Sequence, residues 1–62
     1  MCESKVFVLE NGEEKVLAGE VSSLTVSSGE VMVMDIYGKE YRLNGVKEVR
    51  VDFLGHKVVI VK

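Results

Sequence analysis

Val46-Lys47-Glu48-Val49-Arg50-Val51-Asp52-Phe53 alternates apolar and charged residues with a period of two. Val49, Val51 and Phe53 fall on one side; Glu48, Arg50 and Asp52 fall on the other. That is the pattern of a strand with one face turned to a core. Leu54-Gly55-His56 follows as a turn, and Val58-Val59-Ile60-Val61 as a second strand, apolar on both faces. Val6-Phe7-Val8-Leu9 and Val31-Met32-Val33-Met34 have the same two-sided character. Such strands are either central in a sandwich or covered by something outside their own sheet.

The rest of the chain repeats this design. Valine is abundant and alanine occurs once, as Ala18, a composition suited to pleated sheet rather than helix. Glycines stand at Asn11-Gly12, Ala18-Gly19, Ser28-Gly29, Tyr37-Gly38, Asn44-Gly45 and Leu54-Gly55, dividing the sequence into runs of strand length. No window shows an apolar stripe at helical spacing behind a capping residue. The predicted fold is all-β: six or seven short antiparallel strands curled into a small SH3-like barrel, a closure that protects strand edges.

Sixty-two residues allow one domain, spanning 1–62. A chain this short buries only about 60% of its unfolded surface and usually needs a disulfide, a metal or a partner subunit. Cys2 is its one cysteine, so no intrachain disulfide forms. Yet 47% of the residues are hydrophobic, which excludes disorder and leaves apolar surface for a second subunit. A twofold homodimer is expected, with Val6, Val8, Val59 and Val61 as candidate interface residues. The net charge of −2, with acids and bases interspersed, counts against a partner held through phosphates. No apolar run approaches the ~20 residues of a membrane span. The N-terminus lacks the pattern of an export signal, and with a single cysteine the expected location is the cytoplasm.

Catalysis needs a nucleophile with its base, tuned carboxylates or an open metal site, and none is signalled. His56 is a turn residue, Asp35 and Asp52 read as solvated or turn-adjacent acids, and Glu13-Glu14 as a polar loop. No phosphate-binding glycine loop or zinc spacing occurs. Tyr37, Lys39, Tyr41 and Arg42 form an alternative site, a hairpin on which RNA bases or a protein partner would stack. A purely structural homodimer with an incidental cysteine is a third reading.

Cys2 offers a different chemistry, because its thiol lies beside the α-amine of the chain. With Met1 removed, amine and thiolate form a five-membered chelate; with Met1 retained, its amine, the Cys2 amide nitrogen and the sulfur act together. Nitrogen and thiolate donors near one plane suit Ni(II) or Cu(II), whereas zinc requires a tetrahedral set that one terminus cannot complete. Two termini brought together by a dimer axis supply two donor sets.

The chain resembles the CooT family, small nickel-binding accessory proteins associated with carbon monoxide dehydrogenase, and their uncharacterised relatives. The resemblance runs through Met1-Cys2, Lys5-Val6, Gly19-Glu20-Val21, Gly29, Gly45 and Arg50-Val51-Asp52, nearly the full length. It implies a non-catalytic homodimer of SH3-like barrels that carries or senses nickel during metalloenzyme maturation. It also implies that Cys2, after the initiator methionine, is the nickel ligand. The partners implied are a second copy and a nickel enzyme or its maturation factors.

Overall fold

A computed structural model describes residues 4–62. Seven strands follow one another: β1 (Lys5–Glu10), β2 (Glu13–Ala18), β3 (Val21–Ser27), β4 (Glu30–Asp35), β5 (Glu40–Leu43), β6 (Glu48–Asp52) and β7 (Lys57–Val61). They form a four-stranded sheet, β2-β1-β7-β6, and a three-stranded sheet, β3-β4-β5, with no helix among the described residues. The three two-sided apolar stretches are β1, β7 and β4, all of them central strands. Each of them is therefore paired along both of its edges.

The all-β class and the strand number agree with the sequence reading, but two features differ. The sheets are separate and are not joined into a closed barrel. One pairing, β1 with β7, is parallel, running from Lys5↔Lys57 to Leu9↔Val61. Each connection carries the chain back between two ends of the molecule. The first and last of an odd number of reversing strands therefore meet running the same way. Lys5 N–H donating to the His56 carbonyl (3.0 Å) and Lys62 N–H donating to the Leu9 carbonyl (2.9 Å) extend this ladder at both ends.

The core forms where the inner faces of the sheets meet. Val6, Val31, Val33 and Ile60 are fully buried, with Leu24, Tyr41, Leu43, Val49 and Val58 packed around them. Val49 opposes Ile60 and Val51 opposes Val58, so the alternation of the opening stretch turns its valines inward and Arg50 outward. The same alternation corrects the proposed interface set. Val6 is fully buried in the chain's own core, and Val8 lies on that same inner side of β1. Phe7 and Leu9 face outward instead, beside Val59 and Val61, their partners across the parallel ladder.

Two hairpins have the expected turns. Asn11 and Gly12 have φ of 54° and 80°, and Ser28 and Gly29 have 45° and 78°. A left-handed pair at both central positions matches the twist of the flanking strands. At the β6–β7 turn the left-handed residue is His56 (φ 52°). Gly55 serves a different need: a Cβ there would stand 2.8 Å from Asp52 Oδ2. The Asp52 carboxylate accepts the Gly55 N–H at 3.0 Å, ends β6 and leaves Phe53 outside the strand.

Ile60→Ala deletes a fully buried side chain at the meeting of the two sheets. It should cost about 3 kcal/mol in urea unfolding, a large share of what a domain of this size holds in reserve. A loss below about 1 kcal/mol would contradict this account of the core.

Candidate functional site

The chain enters the described structure at Ser4, and backbone hydrogen bonds define what lies around that point. The Ser4 carbonyl accepts Val21 N–H (3.2 Å), and the next residue, Lys5, donates to His56. Ile36 N–H donates to the Glu20 carbonyl at 3.1 Å. The beginnings of β1 and β3, the end of β4 and the β6–β7 turn thus share one end of the molecule. Met1 and Cys2, the candidate metal ligands, lie outside the described residues.

This end is unusually apolar for a protein surface. Tyr37, Phe53 and Leu54 are 81%, 83% and 95% exposed, and Ile36 also lies open. A cleft of about 330 Å³ opens between β3 and the β6–β7 hairpin, lined by Val21, Leu24, Val51, Phe53, Ser4 and His56. Large exposed apolar side chains beside an apolar cleft suit an interaction site. Among the described residues, no group of three or more His, Cys, Asp or Glu side chains is placed to hold a metal. His56 is exposed, and its carbonyl rather than its imidazole is bonded into the fold.

The alternative RNA platform is not assembled. Tyr41 packs against the core and donates its hydroxyl to Asp35 Oδ2 at 3.3 Å. Arg42, its neighbour on β5, opposes Met32 and so lies on the other face of the sheet. Lys39 places its ammonium 5.1 Å from the Tyr41 ring centroid, while Tyr37 projects from the turn tip. Strand alternation sets Arg42 on the opposite face from Tyr41, whereas Lys39 stays beside the Tyr41 ring.

Asp35 organises that turn. Its carboxylate accepts the backbone N–H groups of Tyr37 and Lys39, each at 2.9 Å. The Lys39 N–H is the main cause of a pKa lowered from the ordinary 3.8, against a smaller opposing effect of desolvation. The Tyr37 N–H, the Tyr41 hydroxyl and the Lys39 charge add to the lowering. The acid is turn-adjacent, as its sequence position suggests, and it fixes how Ile36 and Tyr37 are presented.

Comparison with known proteins identifies the lineage. A family model described as CO dehydrogenase accessory protein CooT matches residues 1–61. The chain belongs to the CooT family. A crystal structure assigned to CooT from Carboxydothermus hydrogenoformans superposes with a TM-score of 0.79 at 18% identity, covering 98% of this chain and 97% of that one. At that identity the likeness concerns the fold: the two-sheet arrangement is shared with a CooT structure. No curated protein matches the chain significantly.

The lowered Asp35 pKa has a pH signature. A carboxylate held below its unfolded value stabilises the fold above that value, and the effect is lost as pH falls through the folded one. Asp35→Asn should therefore be less stable than the native protein at pH 7, with the difference shrinking as pH drops below 3.8. Urea unfolding of both proteins across that range checks this; a gap independent of pH would contradict it.

Proposed function

We propose that this CooT-family protein is a non-catalytic, cytoplasmic homodimer that binds nickel as cargo through its N-termini. It delivers or senses the metal during maturation of a nickel enzyme. The family carries the first part of the reading, since its members are described as CO dehydrogenase accessory proteins. The position of Cys2 carries the second: the chain's one thiol stands two residues before Ser4, which lines the apolar cleft.

The chemistry follows from the donors. An N-terminal amine and a thiolate suit a metal that accepts planar nitrogen and sulfur coordination, and Ni(II) is such a metal. One chain offers too few donors for a closed tetrahedral site, and two chains offer two matching sets. A site assembled from the ends of two chains is open to solvent and lies where an acceptor can reach it, as transfer of cargo requires. Exposed Tyr37, Phe53 and Leu54 suit protein contact rather than turnover of a small molecule.

Nickel titration into native and Cys2→Ser protein tests this reading. The native protein should bind stoichiometrically and release protons, because amine and thiol are both mostly protonated at neutral pH with reference pKa values near ~8 and ~8.5. The variant should lose that binding. Equal binding by both proteins, or none by either, would overturn the assignment of Cys2.

A further inference from the structure

Four strand edges are free among the described residues: β2, β6, β3 and β5. Three of them are blunted. The β1–β2 register slips between Val6 and Phe7, placing a bulge in the pairing of β2. The β3 register slips between Val21 and Ser23, and the Ser22 hydroxyl donates back toward the Met34 and Asp35 carbonyls, each 3.2 Å away. The fourth pairing edge, β5, is only four residues long. Bulges and short edges are the usual protection against unwanted pairing. β6 has neither: five residues pair with β7 in unbroken register, and its other side is unpaired.

We propose that β6 pairs with β6 of a second copy, antiparallel about a twofold axis through Val51, to form one continuous eight-stranded sheet. This rests on the homodimer reading above and specifies how the two copies meet. Opposed residues in an antiparallel pair share a face, so the axis must pass through a residue of the strand. An axis through Arg50 sets Arg50 against the partner's Arg50 and Glu48 against the partner's Asp52, an arrangement of like charges. An axis through Val49 sets Glu48 against the partner's Arg50 but leaves Val51 facing the partner's Lys47 and Phe53 uncovered.

The axis through Val51 satisfies both faces. On the outer face Arg50 meets the partner's Asp52, twice by symmetry, while keeping its own Glu48 Oε1 at 3.1 Å. On the inner face Val51 meets the partner's Val51, and Phe53, just past the end of β6, comes alongside the partner's Val49. Val51 is half exposed and Phe53 largely exposed in the single chain, so pairing covers the apolar surface left open beside the cleft. The outer sheet face needs no such cover. Lys57 lays its ammonium 4.7 Å from the Phe7 ring centroid and pairs with Glu14 at 2.8 Å, spanning that face across three strands.

Cross-linking reads the register directly. In a Cys2→Ser background, Val51→Cys should oxidise to a covalent dimer, since opposed Cα atoms lie about 4.5–5.5 Å apart, within disulfide range. Arg50→Cys should not, because it faces the partner's Asp52. Cross-linking of Arg50→Cys in place of Val51→Cys, or of neither, overturns the proposal. Independently of any cysteine, Arg50→Glu should raise the dimer dissociation constant at least about tenfold by setting two pairs of acids opposed. Arg42→Glu, on the other sheet, should leave it unchanged. An unchanged constant in Arg50→Glu overturns the pairing. Light scattering on the native protein separates the two readings: a monomer removes the homodimer itself, whereas a dimer that fails the cross-linking and charge tests removes only this interface.

Discussion

The parallel ladder between β1 and β7 is the interaction on which the rest of the structure depends. It joins the two ends of the chain, and its inward side chains, Val6 and Ile60, are half of the fully buried core. The same ladder sets the start of β1 beside the β6–β7 turn through the bond from Lys5 to His56. Without it the first and last hairpins would be separate two-stranded ribbons, which are marginal in water. The feature that stabilises the fold is therefore also the one that brings the start of β1 to the apolar end.

A second constraint is size. Four fully buried side chains are a small core, and several large apolar residues remain on the surface. The molecule treats its exposed regions differently. Lys57 bridges the outer face of the larger sheet, and bulges or shortness blunt three edges. The β6 edge, the cleft and the tips bearing Tyr37, Phe53 and Leu54 have no such cover. Surface left open in a chain this small is where a second subunit or an acceptor protein contributes.

Much of the fold was legible because it rests on local rules. Period-two alternation identified β6 and its inward valines, and Asn-Gly and Ser-Gly located two left-handed turns. The parallel pairing was not legible, since it joins residues more than fifty positions apart and has no local signature. The inward face of β1 was not legible for a related reason: when both faces are apolar, alternation cannot tell Val6 from Phe7. The β6–β7 turn was legible as a turn, but not that its left-handed residue is His56 while Gly55 lies close to the Asp52 carboxylate. Of the candidate site, Cys2 lies outside the described residues, and its proposed chemistry rests on its neighbours in sequence alone. The apolar end around Ser4 could not be read from the sequence, because it draws on three separate connections that only the topology unites.

The proposed function reduces to one claim: a pair of chains, joined so that their N-termini converge, holds a single metal ion between them. Native mass spectrometry of the untagged protein, loaded with nickel and desalted, tests it most directly. The account predicts a dominant species of two chains with one nickel ion. Nickel bound one per chain, whether on monomers or as two ions per dimer, would contradict it.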